Sequence, residues 1–328
     1  MRSPFIARRT VTASLASLLL CGTPPALSQT YPDRPIRWLV GGAAGSVPDT
    51  LARFLAEHLA QALGQPVIVD NRPGAAGSIA IGALMASKPD GHTIALATMS
   101  QAVFNSFLFA KLAYDPLTDL APVAALATGA MTVACHPSVS APTLGALVST
   151  TKGRAVPIAL GTTQVGSPPH VFAHLLLRAT GMDVTIVPYK SGAEGLAALV
   201  RGDVQLFVDA PTIVVPQVRA GTIMALVVTG RLRDPELPDV PTVAEAGYPS
   251  AEAEAWIGLV APAATPAAVT ARLSATIQII LNRADIQQRL RALSFEPMAL
   301  SAEAFGELIR RDHERWRPVI KEAAISLD

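Results

Sequence analysis

Cysteine is almost missing from this chain. Cys21 and Cys135 are the only thiols among 328 residues, so no disulfide framework can staple the fold and an apolar core must hold it. Aromatic residues make up 5% and charged residues 16%, with 26 Lys and Arg against 25 Asp and Glu. That even balance supplies no cationic stripe for a phosphate backbone, which argues against nucleic acid as a partner. Long apolar runs are also lacking beyond the first thirty residues. Asp209, Pro211, Pro216 and Arg219 interrupt the most hydrophobic later stretch, so no later segment reaches the roughly 20 residues that span a bilayer.

What is present begins with a leader. Arg2, Arg8 and Arg9 precede the uncharged run Val11 to Leu20, and Pro24-Pro25-Ala26-Leu27-Ser28 offers small residues for cleavage before Gln29. This is the layout of a secretory signal peptide over residues 1–28, and it predicts export. The apolar run is too short for an anchor. Arg8-Arg9 and Leu20-Cys21 match twin-arginine and lipid-attachment signals only as isolated pairs. Cleavage near Ser28 removes three arginines, leaving 23 basic residues against 25 acidic, a formal charge of −2. Cys135 is then the single thiol, in a mature chain long enough for about two domains.

The most informative stretch follows Ile36-Arg37-Trp38-Leu39-Val40. Gly41-Gly42-Ala43-Ala44-Gly45-Ser46 leads into a helical pattern near Asp49, so bare peptide N–H groups lie where a helix dipole adds partial positive charge. A carboxylate or phosphate is the expected guest. The glycine spacing lacks the third glycine of a dinucleotide fingerprint, and an exported protein leaves that cofactor pool behind.

Short apolar runs then alternate with helical patterns. Strands at 36–40, 66–70 and 92–97 alternate with helices at 49–63, 77–87 and 100–110, which implies a parallel sheet flanked by helices. A second round gives strands at 131–135, 157–160, 184–188, 204–209 and 223–229, with helices at 143–151, 169–180, 192–201 and 212–220. After a proline-rich passage comes a strand at 256–261 and helices at 266–282, 284–293 and 301–323. Three late helices and one strand make too small a core to stand alone, so the tail is expected to return to the first unit. The expected lobes are 29–128 with 253–328, and 129–252, joined by two crossings with a ligand cleft between them.

Catalytic signals are weak. His170 and His174 share a helix face at a spacing that suits zinc, yet Val171 stands where a metalloprotease carries Glu. Ser167 near His170 has no G-x-S-x-G elbow around it. Asp49 reads as a first-turn carboxylate or as a partner for a ligand's donor. Asp209 reads as the N-cap of helix 212–220 or as a specificity residue. Trp38, Trp256 and Trp316 read as core or rim residues.

Several segments together resemble one family. They are Tyr31-Pro32-Asp33-Arg34-Pro35-Ile36, Leu63-Gly64-Gln65-Pro66-Val67, Asn71-Arg72-Pro73-Gly74-Ala75, Lys88-Pro89-Asp90-Gly91-His92-Thr93, Tyr114-Asp115-Pro116, Val187-Pro188-Tyr189-Lys190 and Leu237-Pro238-Asp239-Val240-Pro241-Thr242. In order and spacing they resemble the Bug-type solute-binding receptors of tripartite tricarboxylate transporters. The resemblance implies a monomeric periplasmic α/β protein of the two-lobed type II binding-protein class. It implies a small organic acid as ligand and membrane permease subunits as partners, with no cofactor, metal or catalysis. The competing reading is an exported hydrolase-like enzyme acting on a small organic acid. Residue by residue, the resemblance places Gly42, Ala43, Ala44, Gly45, Ser46 and Asp49 on the first ligand loop and Thr98 and Ser100 on the loop after the third strand. It places Thr163, Gly166 and Ser167 on the opposing loop, and Asp209 at the ligand's far end. Gly42 stands where the family carries an aromatic residue, and Ser46 where it carries a second glycine.

Overall fold

The first β-strand, β1 (Ile36–Val40), buries Ile36, Trp38, Leu39 and Val40 completely, the near-continuous burial of a strand covered on both faces. The computed structural model describes residues 31–151 and 158–328. The expected leader, residues 1–28, lies outside the described residues, as does Pro157 at the start of one expected strand.

From β1 the chain runs through α1 (Val47–Leu63), β2 (Val67–Asn71), α2 (Ser78–Met85), β3 (Thr93–Thr98), α3 (Asn105–Leu108) and β4 (Leu120–Ala130). It then enters β5 (Thr132–Cys135), α4 (Leu144–Thr151), β6 (Ile158–Thr162), α5 (Pro168–Thr180), β7 (Val184–Pro188), α6 (Gly192–Arg201), β8 (Leu206–Asp209), α7 (Pro211–Arg219) and β9 (Met224–Val228). It ends with β10 (Glu254–Pro262), α8 (Ala267–Leu281), α9 (Ala284–Arg291), β11 (Glu296–Leu300) and α10 (Ala302–Glu322). The helix stops follow local chemistry: Gly64, Gly181 and Gly202 close α1, α5 and α6 in the left-handed conformation that glycine adopts without a Cβ clash.

Two sheets result, ordered β11-β4-β10-β3-β1-β2 and β7-β6-β8-β5-β9. Both are mixed, with a parallel core and antiparallel members. β2, β1 and β3 are parallel, but β10 runs antiparallel to β3 and β4, and β11 antiparallel to β4. In the second sheet β7, β6 and β8 are parallel while β5 is antiparallel to β8 and β9. The strands that run against the rest are β10, on which the chain re-enters the first sheet, β11 after it, and β5, on which the chain enters the second sheet. β4 and β11 were not expected from the sequence, and the segment expected as helix 100–110 is a π-helical turn, Ser100–Phe104, followed by the short α3.

Sheet membership changes at Met131 and again at Ala253. Thr229 ties these points together: its Oγ1 accepts from Met131 N–H at 2.9 Å and donates to the Ala253 carbonyl at 2.6 Å. The units also share apolar contacts. Phe172 on α5 stacks on Trp316 on α10 with centroids 5.0 Å apart, and Phe104 meets the same indole edge-on at 5.4 Å. Trp38, Trp256 and Trp316 are all buried, as expected.

Candidate functional site

β1 and β3 are parallel neighbours in one sheet, and β6 and β8 in the other. Their carboxyl ends therefore open on one edge of each sheet, the usual location of ligands in open α/β structures. A direct bond shows that these edges face each other: Ser100 Oγ, just after β3, donates to the Gly166 carbonyl, after β6, at 2.9 Å. The N-termini of α1, α5 and α7 follow β1, β6 and β8 on these edges and bring their positive dipole ends with them.

At the β1–α1 corner Ala43, Ala44 and Gly45 are exposed while Gly42 and Ser46 are half-buried. Gly45 has φ 79°, a left-handed turn that a residue with Cβ adopts at a cost of about 1 kcal/mol. Its N–H donates to Asp49 Oδ2 at 2.8 Å, so that amide is already engaged. The N–H groups of Gly42, Ala43 and Ala44 meet no protein acceptor among the described residues. Asp49 is 2% exposed and also receives Asn71 Nδ2 at 2.9 Å and the Arg53 guanidinium at 2.9 Å. Burial alone would raise its pKa, but the bonds from Arg53, the Gly45 N–H and Asn71 outweigh it and hold the carboxyl below its ordinary range. The geometry makes Asp49 the anchor beneath the loop. Asn71 adds a second tie by donating to the Gly42 carbonyl at 3.0 Å.

Gly42 and Ser46 fit each other. A Cβ on Gly42 would lie 2.5 Å from Ser46 Oγ, closer than nonbonded atoms tolerate. Ser46 occupies the N-cap position of α1 without a side-chain cap bond, and its Oγ is buried with no partner. The hydroxyl thus fills space beside the bare Gly42 Cα. Gly42 and Ser46 therefore compete for one space in steric terms.

Thr98 is committed inward. Its N–H and Oγ1 both donate to Gln101 Oε1, at 2.7 and 2.5 Å, and its Oγ1 accepts from Ser100 N–H at 3.2 Å. On the opposing loop Thr163 Oγ1 and Ser167 Oγ share a hydrogen bond of 2.7 Å, and Ser167 caps α5 by accepting from His170 N–H. His170 and His174 meet edge-on at 4.9 Å. Burial and its neighbour push His170 down to about 4, so the pair is neutral. No group of three or more His, Cys, Asp or Glu able to hold a metal occurs among the described residues.

Asp209 ends β8 and is 6% exposed. Oδ1 accepts from Ala210 N–H at 2.8 Å, while Oδ2 is buried without a donor. Burial pushes its carboxyl up to about 7 against the opposing Ala210 bond. Ala210, not Asp209, is the N-cap of α7, which corrects the capping expectation: helix α7 starts one residue earlier than the pattern suggested, at Pro211. Sequence reasoning missed Arg53, Asn71 and Gln101 as supports of these loops. Arg53 had a local signal, four residues beyond Asp49 on one helix face; Asn71 had none, since it arrives from β2.

Residues 51–325 match the sequence profile of the tripartite tricarboxylate transporter family receptor. BugT of Bordetella pertussis is 30% identical over 304 residues, covering 92% of this chain and 93% of that protein. A Rhodopseudomonas palustris protein solved with adipate superposes with a TM-score of 0.83 at 31% identity, over 90% of this chain and 99% of that one. MatC of the same organism, solved with bound malate, gives 0.79 at 32% identity, over 88% and 100%. With a profile match over most of its length and a relative of 30% identity covered almost end to end, the chain belongs to the Bug-type solute-binding receptors of the tripartite tricarboxylate transporter family.

Proposed function

We propose that this chain captures a small organic carboxylate in the periplasm, between lobes formed by residues 29–128 with 253–328 and by 129–252, and presents it to membrane permease subunits as a monomer without catalysing a reaction. The observation that carries this reading is the set of unspent amides of Gly42, Ala43 and Ala44, which lead into the N-terminus of α1 on the sheet edge whose neighbouring β3 loop bonds to Gly166 of the other sheet through Ser100. Two relatives solved with adipate and malate support the ligand class. In this reading Gly42, Ala43, Ala44 and Ser46 meet the carboxylate. Gly45, Asp49, Thr98, Ser100 and Gly166 hold the loops in shape, and Thr163, Ser167 and Asp209 complete the opposite wall.

No Arg or Lys lies on these loops, so affinity is distributed. Hydrogen bonds to a charged group contribute roughly 1.5–3 kcal/mol each, and three or four reach micromolar binding, about −8 kcal/mol. Thermal-shift titration with adipate, malate and other small mono-, di- and tricarboxylates should raise the melting temperature, because a ligand selective for the native state stabilises it. Mass spectrometry of compounds released from fresh protein identifies the native guest. A panel without any shift would sink the receptor reading, and progressive consumption of a bound acid would establish the enzyme instead.

A further inference from the structure

The loop after β6 is seated at one residue, Gly166. Its φ of 78° already disfavours a side chain, and a Cβ there would lie 2.6 Å from Leu108 Cδ1 and 3.2 Å from Leu327 Cδ1. Only a glycine admits both methyl groups. Ser100 Oγ adds its 2.9 Å bond to the Gly166 carbonyl, so three side chains from outside the second sheet close around this one residue. Ser100 and Leu108 follow β3 directly, whereas Leu327 arrives from beyond α10.

The segment after α10 is anchored on the β3 side. Leu327 N–H donates to the Leu108 carbonyl at 2.9 Å, and Asp328 Oδ2 accepts from Ala110 N–H at 2.5 Å. Because α3 ends at Leu108, that carbonyl has no partner within its own helix, and Leu327 supplies one. Ile325 and Leu327 also pack against the main apolar core. α10 itself is fixed to the same side: His313 Nε2 bonds to the Ala102 carbonyl at 2.9 Å, and Phe107 meets the His313 ring edge-on at 5.3 Å.

Toward α5 the contacts are of another kind. Leu327 meets Gly166 through a methyl group, Trp316 stacks on Phe172, and Glu322 pairs with Arg178 at 3.1 Å between exposed side chains. Apolar contacts and exposed ion pairs lack the fixed geometry of buried hydrogen bonds, so they can part and re-form. Residues 325–328 are thus hydrogen-bonded to one side of the crevice and only touch the loop on the other. Since Ser167 is the N-cap of α5, whatever seats Gly166 also sets the position of that helix start.

Resting on the receptor reading above, we propose that Leu327 and Asp328 are positioning residues for ligand capture: segment 325–328 is a strap, anchored at Leu108 and Ala110, that seats the Gly166 loop against Ser100 while a ligand is held. The strap slows release, because opening the crevice here has to lift Gly166 off Leu327. Entry into an already open crevice breaks no such contact.

Stopped-flow kinetics with adipate and malate, followed by the rest of the carboxylate panel, test this. Ending the chain at Ser326 should raise the release rate of whichever acid the wild type binds about tenfold and leave association within about twofold, the usual division for a lost holding contact. Leu327→Ala, which keeps the chain length and remains informative if the shortened chain fails to fold, should raise release about fivefold. Leu327→Met, which restores a methyl group at similar reach, should return release to near the wild-type rate. Hydrogen exchange in ligand-free protein reads the strap without any acid: removing Leu327 and Asp328 should speed exchange across residues 163–171 and leave residues 41–46 unchanged. A purely structural role would lower the melting temperature with release unmoved. That result, slower association with unchanged release, or unaltered exchange across 163–171 would overturn the strap while leaving a receptor. If no acid of the panel bound to the wild type, the receptor reading would fail and the capture role with it.

Discussion

The corner after β1 and the corner after β8 each bury an aspartate, yet the two carry opposite electrostatics. Asp49 is surrounded by donors, with the Gly45 N–H, Asn71 and Arg53 all bonded to it, and its carboxyl is held below the ordinary range. Asp209 has one backbone donor and an orphan oxygen, and burial pushes it up to about 7. Burial alone therefore does not set the charge of these two carboxyl groups. The supply of donors decides, because each hydrogen bond to the ionised form offsets part of its desolvation. Asp49 can thus act as a charged clamp for a loop, whereas Asp209 is suited to donate.

The contrast predicts opposite pH behaviour. Asp209 binds its proton more tightly folded than unfolded, so its own contribution to stability is greatest below about pH 4, declines as pH rises toward about 7 and is flat above that. Asp49 binds its proton less tightly when folded, so its contribution is present above the unfolded carboxylate range and is lost as pH falls through the lowered folded value. The largest expected effect follows for Asp209→Asn, which should stabilise the protein by about 3–4 kcal/mol at pH 8 and by nearly nothing at pH 4. Urea denaturation at the two pH values measures this, and an equal change at both would erase the contrast. Next, Asp49→Ala should cost about 2–3 kcal/mol at neutral pH by leaving the Gly45 N–H and Asn71 without an acceptor. The same denaturation measured toward pH 3 should show a smaller deficit; a deficit that grows in acid would mean that Asp49 is not a charged clamp.

Smaller effects sharpen how each corner is packed. Gly42→Ala should destabilise by about 1–2 kcal/mol through the clash with Ser46 Oγ, and Ser46→Gly in the same chain should restore most of it. A double-mutant cycle reads the coupling directly, and simple additivity would show that the two positions are independent. The smallest change is expected for Ser100→Ala, which removes the bond to the Gly166 carbonyl, worth about 1 kcal/mol. In the receptor reading, affinity for whichever small carboxylate of the panel binds should drop about fivefold by calorimetry, and an unaltered affinity would mean that this contact does not hold the two loops in place for the ligand.

Much of the fold was legible as local pattern. β1, β7 and α6 lie at the expected residues, and α1 differs only at its start, where Val47 and Pro48 precede Asp49. β4 was not legible because Leu120-Ala-Pro-Val-Ala-Ala-Leu-Ala-Thr-Gly-Ala is dominated by alanine, a residue with weak strand preference; its pairing with β10 over most of its length makes it a strand. β11 is short and its register with β4 is irregular, so it too depends on its neighbour. At the candidate site, the glycine loop was readable from composition alone. The supports beneath it were not, since Asn71 and Gln101 reach Asp49 and Thr98 as parts of other elements.

The sequence by itself determined most strands and helices other than β4 and β11, the helix stops at glycine and the bare amides after β1, because hydrophobic period, dihedral freedom and missing side chains are properties of a few consecutive residues. Only the tertiary structure decided which strands run antiparallel, that Gly42 and Ser46 share one space, and that Asp49 is saturated with donors while Asp209 is not. Those outcomes depend on atoms brought together from distant segments, and a buried polar group takes its character from the partners that surround it.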